Sequence, residues 1–286
     1  MNLPDVISVL GIGFMAGLLG GIGGVGGSIV MLPLLGLLLG YPTGAEHHKY
    51  MAAAFCVNVV VAIPAAYQHW RARAVRLDLI RVLLPWTLLF LALGVLASNL
   101  FAGVVLKRLL AAFLALDSGI NIWRIATYRP EPGNRPERAT SGRLVTSAGI
   151  SGSVAGLLGL GGGVVQVPLL QALCGVPLRQ AIATSSALIC VTGVVAAGLK
   201  VGTLREHGLA MGPALGLAAT LAPTAVLGSM AGARLTHLLP VRWVRLIITL
   251  MLLWASLELS GLLGSGPGER GQTPDERGGP VPRAAP

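Results

Sequence analysis

The chain has 286 residues, of which 54% are hydrophobic and 11% charged, with a mean hydropathy of +0.76. A soluble domain carries about 25% charged residues, so soluble enzymes, disordered chains and coiled coils are excluded, and no G-X-Y period accompanies the 40 glycines to suggest collagen. The net charge of +10 comes from 21 Lys and Arg lying mostly in short loops between apolar runs, which is the pattern of a polytopic membrane protein and not of a nucleic-acid binder.

The start, Met1-Asn2-Leu3-Pro4-Asp5, has no basic n-region, and no small-residue cleavage site lies near position 20, so uncleaved insertion is expected. Apolar runs follow at 6–20, 27–40, 50–67, 80–99, 104–123, 144–158, 162–175, 181–199, 209–231 and 243–263. At about 20 residues per crossing there is room for roughly eight crossings and little else.

The first stretch, 6–40, is uncharged and broken by glycines near its middle. As one helix it would run about 52 Å, too long for a hydrocarbon core of about 30 Å; two full crossings would need about 40 residues plus a turn. Two short half-helices joined by a glycine turn are expected, with Pro33 in the returning arm. Irregular backbone at that depth survives only against protein or a wet cavity. The N–H groups of Gly26, Gly27 and Ser28 would face such a cavity, and a helix N-terminus attracts anions. The competing reading is that these glycines only let helices pack closely.

Glu46-His47-His48-Lys49 opens the run 50–67. His47, His48 and Lys49 would draw an anion or couple a proton, or else form a snorkelling interfacial loop. Asn58 lies inside that run, and an intramembrane polar group is a site candidate by default. Asp117, near Ser118 and Asn121, is one of two acids deep in apolar runs; the other is Glu258. Each is a candidate proton carrier, or a group wetted near the end of a span. Residues 126–143 mix charges with Pro130, Pro132 and Pro136 and read as a polar linker.

The stretch 144–178 repeats the first pattern, with Gly161-Gly162-Gly163, then Gln166 and Pro168. Thr184, Ser185 and Ser186 open the run 181–199; with Gln166, Ser28 and Asn58 they could hydrogen-bond a solute oxygen without adding charge, as the N–H groups at Gly161, Gly162 and Gly163 could, or else bond their own helix backbone. Thr192, further along, reads as bonding its own helix. Cys56, Cys174 and Cys190 show no CxxC spacing and read as small hydrophobes; the histidines form no HExxH set. No metal, cofactor or catalytic residue is expected. From Gly264 onward Gly, Pro and charges predominate, and disorder is expected.

Residues 16–35 read AGLLGGIGGVGGSIVMLPLL and 155–170 read AGLLGLGGGVVQVPLL; 52–66 align with 183–197, and Arg108-Leu109 with Arg245-Leu246. Such internal duplication is a mark of secondary transporters. The expected fold is therefore an all-α polytopic membrane protein with two pseudo-symmetric repeats, 1–125 and 144–263. Each repeat holds a glycine-broken helix hairpin and three transmembrane helices; the linker is 126–143 and the tail 264–286. Three crossings per half would invert the repeats, whereas counting each hairpin as one broken crossing would make them parallel. Charge leaves that choice open.

The doubled motif, GLLGGIGGVGGSIVMLPLL at 17–35 and GLLGLGGGVVQVPLL at 156–170 followed by AIATSSALICVTGVVAAGLKVGTL at 181–204, resembles the sulfite exporter TauE/SafE family, also called the toluene-sulfonate uptake permease family. The resemblance covers about residues 5–263. It implies transport of a small sulfur-containing anion (sulfite, sulfoacetate or another organosulfonate) across the bacterial inner membrane. The halves differ, since Thr184-Ser185-Ser186 aligns with Ala53-Ala54-Phe55. The expected partners are a small anionic substrate and the lipid bilayer, with no nucleic acid; a homo-oligomer is left open. The alternatives are an anion channel, or a permease for a carboxylate or sulfate.

Overall fold

The computed structural model describes residues 3–40, 46–126 and 138–260. Most of the polar linker, and the tail from residue 261, lie outside the described residues. The described residues form ten α-helices. These are α1 (Leu3–Gly23), α2 (Ser28–Leu39), α3 (Glu46–Arg71), α4 (Leu77–Ser98), α5 (Gly103–Ala126), α6 (Ser141–Leu158), α7 (Gly163–Cys174), α8 (Leu178–Gly202), α9 (Met211–Leu238) and α10 (Val241–Leu259). A single 3-10 turn, Leu204–His207, follows α8.

Helix ends follow local chemistry. Gly159 and Gly175 close α6 and α7 in the left-handed region, at φ 78° and 72°, where other residues are strained. Pro177 and Pro240 immediately precede α8 and α10. Four segments are long and apolar enough to cross a membrane: Glu46–Arg71, Leu77–Ser98, Leu178–Glu206 and Met211–Leu238. Charges interrupt α5 (Lys107, Arg108, Asp117) and α10 (Arg242, Arg245, Glu258).

Both glycine-rich stretches break where the glycines are, but the arms are unequal. α1 and α6 have 21 and 18 residues, whereas α2 and α7 have 12 each, about 18 Å and too short to cross. The entering arms are longer than half-helices because each packs along a full-length neighbour. Gly13, Gly17 and Gly21 of α1 meet Leu221, Ala225 and Ser229 of α9 in that order, so the two helices run parallel. On the other side, Gly152 and Gly156 of α6 meet Leu91 of α4, with Thr87 before it and Val95 beyond. The returning arms fold back. Gln166 of α7 bonds Ser147 and Ser151 of α6, and Arg143 Nη1 donates to the Leu173 carbonyl at 3.1 Å.

α3 and α8 are antiparallel at the centre. The start of α3 meets the end of α8 through His48 and Lys200, Val59 faces Gly193, and Arg76 N donates to Thr184 Oγ1 at 3.3 Å. α5 and α10 are antiparallel as well: Ser256 Oγ donates to the Ala111 carbonyl, while Asp117 shares a cleft with Arg245. Mid-helix apolar side chains such as Ile63, Leu93, Val194 and Leu227 face outward, more than half exposed, as lipid-facing residues do. Tyr67, Trp70, Trp123 and Trp243 are exposed at one end of the bundle, the aromatic girdle expected at a membrane interface.

Candidate functional site

The two glycine turns meet at mid-height in the bundle, beside Asn58 of α3. Asn58 Oδ1 accepts from Gly27 N at 2.7 Å and Ser28 N at 3.1 Å, while its Nδ2 donates to Ser28 Oγ at 3.1 Å. The amides at the start of α2 are thus capped from a neighbouring helix. Among the described residues, no side chain caps the start of α7 at Gly162. Gly26 and Gly161 both have positive φ (76° and 71°), and a Cβ on either would lie 2.7 or 2.5 Å from the Asn58 carboxamide. Glycine is therefore required at both for two reasons, backbone conformation and contact. Gly163 touches the Gly24 carbonyl and Val25 across the junction, and Ser185 Oγ donates to that same carbonyl at 2.9 Å. The junction therefore brings Gly26, Gly27, Ser28, Asn58, Gly161, Gly162, Gly163 and Ser185 into one buried cluster, with Asn58 and Ser28 fully enclosed.

The other residues named from sequence are dispersed. Gln166 is turned away from the junction and joins α7 to the serines of α6. Thr184 caps nothing on its own helix and accepts from Arg76 N instead. Ser186 is buried beside them on α8, and its carbonyl accepts from Cys190 Sγ. Thr192 bonds the Leu188 carbonyl four residues back, as expected for a helix-bonded threonine. His47 and His48 are buried at the start of α3, at one end of the bundle, while Lys49 Nζ sits 5.1 Å above the Tyr50 ring. Asp117 is buried (6% exposed) and lines a cleft toward the opposite end. Glu258 lies just beyond Ser256, which touches Ala111, and so sits toward the start of α5, away from Asp117.

Three features escape a reading of the sequence. Lys200 is fully buried at the end of α8, its Nζ 2.9 Å from His48 Nδ1, 2.8 Å from Ser98 Oγ and 2.7 Å from Asn99 Oδ1. It ties α8 to α3 and α4. The only signal was one lysine closing the apolar run 181–199. At the other end of the bundle, His69 Nδ1 and His237 Nε2 share a hydrogen bond of 2.9 Å between α3 and α9. Finally, a narrow cleft between α5, α7 and α10 is lined by Asp117, Asn121, Gln171 and Arg245 and reaches Gly23, Val25 and Val164 at the edge of the junction. Among the described residues, no group of three or more His, Cys, Asp or Glu is placed to hold a metal ion.

Comparison with known proteins matches these features to one family. A family model described as "Sulfite exporter TauE/SafE" matches residues 9–259. The chain is 26% identical over 278 residues to a "Probable membrane transporter protein MamO" of Paramagnetospirillum magneticum, covering 84% of this chain and 42% of that protein. It is 28% identical over 275 residues to the MamO of Magnetospirillum gryphiswaldense, covering 83% and 42%. A "Probable membrane transporter protein" of Haemophilus influenzae is 26% identical over 246 residues, covering 80% of this chain and 90% of the relative. The chain thus spans less than half the length of the MamO relatives. No solved structure matches. Long apolar helices, outward-facing aliphatic side chains and these relatives together make it a multi-pass membrane protein. With the family pattern running from before the first glycine turn to the end of α10, the chain belongs to the sulfite exporter TauE/SafE family.

Proposed function

We propose that this protein is a secondary transporter that moves a small sulfur-containing anion, such as sulfite, sulfoacetate or another organosulfonate, across the bacterial inner membrane by alternating access, working as an exporter. One observation carries the reading: two glycine-broken turns, entering from opposite ends of the bundle, meet beside Asn58 and Ser185. The start of α7 presents its first-turn amides there with no side-chain cap among the described residues. A helix start carries roughly half a positive charge, and bare amides suit an oxyanion without a fixed cation to trap it. Asn58 spends one of its two amide hydrogens on Ser28 and keeps another for a solute oxygen.

The packing supports two inverted repeats, α1–α5 and α6–α10. α1 lies on α9 as α6 lies on α4, and the pairs α3/α8 and α5/α10 are each antiparallel. Inverted repeats that meet at a central site are the usual frame for rocking between two open states. Arg71, Arg73, Arg76, Arg143 and Arg179 gather at the end bearing the aromatic girdle, which the positive-inside rule assigns to the cytoplasm. From that side an anion leaves down an inside-negative potential worth about 2.3 kcal/mol per charge per 100 mV, so export proceeds without a coupling ion.

Purified protein in liposomes loaded with sulfite, sulfoacetate, sulfate or a carboxylate tests this. Saturable counterflow of a sulfur anion is expected, together with loss in Asn58→Asp. Non-saturating flux with no counterflow would mean a channel, and counterflow of carboxylate alone would overturn the substrate class.

A further inference from the structure

We propose that the outer face of α3 at its C-terminal end, formed by Ile63, Tyr67, Trp70, Arg71 and Arg73, is a docking site for an anionic phospholipid whose phosphate the two arginines hold. The proposal goes beyond the transport reading and takes from it only the leaflet, the cytoplasmic one.

The face is ordered as a lipid is. Ile63, Tyr67 and Trp70 follow at spacings of four and three, one stripe of a helix, and each is more than half exposed. Arg71 continues the stripe four residues beyond Tyr67, and its guanidinium lies 5.9 Å from the centre of the Tyr67 ring. From Ile63 to Arg71 the helix climbs about 12 Å. The order is therefore an aliphatic residue at acyl-chain depth, two aromatic rings at the interface and a cation among the headgroups. Arg73 is exposed just beyond. Among the described residues neither arginine forms a salt bridge, and the nearby acid Asp78 is taken by Arg76 at 2.6 Å. Two guanidinium groups without a bonded carboxylate, above an apolar stripe, are complementary in charge and in depth to a phosphodiester headgroup with its chains.

Arg73 stands where the chain would accept a glycine. It is the only non-glycine with a positive φ among the described residues, at 53°. Arg73 N donates to the Trp70 carbonyl at 2.8 Å and Ala74 N to the His69 carbonyl at 3.1 Å. These are the paired bonds of a Schellman cap, whose left-handed position is usually glycine. α6 and α7 do end on glycines in that conformation, Gly159 and Gly175. A Cβ at such a φ strains the backbone. This arginine is thus kept against the preference of the turn, and strain of that kind persists where a site uses it. The cap also starts both guanidinium-bearing side chains from a single turn.

The equivalent face of the other half lacks this chemistry. Continuing the alignment of 52–66 with 183–197 sets Val194 against Ile63, Gly198 against Tyr67, Val201 against Trp70 and Gly202 against Arg71. Val194 is as exposed as Ile63, but no aromatic ring or cation follows it in that register. Lys200 is buried inside the bundle, and Arg205, exposed beyond it, is followed by Glu206. Residence in a bilayer needs only the aliphatic part, which both faces have. Of the two, α3 alone carries the aromatic and cationic part, so the site belongs to one leaflet.

The test titrates the full chain, purified in detergent, with phosphatidylglycerol and with phosphatidylcholine of the same acyl chains at low salt, and counts bound lipid by native mass spectrometry. Wild-type protein should hold phosphatidylglycerol at least about tenfold more tightly than phosphatidylcholine, with the preference shrinking as salt rises. Arg71→Gln and Arg73→Gly should each lower that preference about fivefold, the contribution of one arginine near a membrane surface. Arg73→Lys should keep most of it. Arg73→Gly should nonetheless melt at or above the wild-type temperature, because glycine relieves the turn; a purely structural arginine would not combine lost lipid preference with unimpaired stability. Arg205→Gln, at the other end of the bundle, should leave the preference unchanged. The proposal is overturned if the wild type shows no preference, if the Arg71→Gln/Arg73→Gly double variant keeps it, or if Arg205→Gln lowers it equally. Displacement of the lipid by inorganic phosphate would also overturn it, since the corner would then be a site for a free anion.

Discussion

At residue scale, one carboxamide does the capping that a helix usually gets from its own chain. Asn58 holds two first-turn amides of α2 and one hydroxyl, all buried. Asn58→Ala would leave those amides unsatisfied and should cost about 1–3 kcal/mol, read as a lower melting temperature in detergent. Asn58→Asp keeps the acceptor and should retain the fold, but it sets a negative charge beside the proposed solute site and should abolish transport. Lys200 is a different case, a buried cation whose bonded partners are His48, Ser98 and Asn99, with no carboxylate bonded to it among the described residues. Lys200→Met would leave the His48, Ser98 and Asn99 acceptors without their shared donor and should cost about 1–3 kcal/mol, read as a lower melting temperature in detergent. Asn58 could be read from sequence because a lone amide in an apolar run is conspicuous. The Lys200 cluster could not, because its partners lie 101, 102 and 152 residues away.

At the scale of elements, glycines divide into turn-formers and packers. Gly161 belongs to the first group, and Gly161→Ala should destabilise through both its φ of 71° and the Asn58 contact. Gly94 belongs to the second; a Cβ there would lie 2.5 Å from the Ser153 carbonyl, so Gly94→Val should part α4 from α6 and lower the melting temperature. Gly198, with nothing within 4 Å of its Cβ position, is the control, and Gly198→Ala should hold or raise stability by up to about 1 kcal/mol. The breaks at both glycine stretches were legible because helix termination is a local property of the chain. That the entering arms are long and the returning arms short was not, since α9 and α4, which set those lengths, lie far off in sequence.

At whole-molecule scale, the directions of the helices set which loops share an end of the bundle. Arg73 and Arg205 are both exposed, but Arg73 follows the end of α3 and Arg205 the end of α8, at opposite ends of the bundle. In a cysteine-free background in intact cells, a membrane-impermeant maleimide should label Arg205→Cys readily and Arg73→Cys only after permeabilisation. Inverted and parallel repeats stay open in the sequence because both keep the arginines at 71–76 and the linker together; the antiparallel pairing of α3 with α8, which supports the proposed inversion, lies between helices far apart in the chain. The parallel packing of α1 on α9 carries a further consequence for biogenesis. The ribosome makes Gly13, Gly17 and Gly21 about 200 residues before the helix that will cover them, so α1 must wait in the bilayer with its narrow face uncovered until α9 has been made. A photo-reactive side chain on α1 should therefore cross-link to lipid in a nascent chain halted before α9 and to α9 itself once that helix is made, and a slow locking step should mark the maturation of this protein.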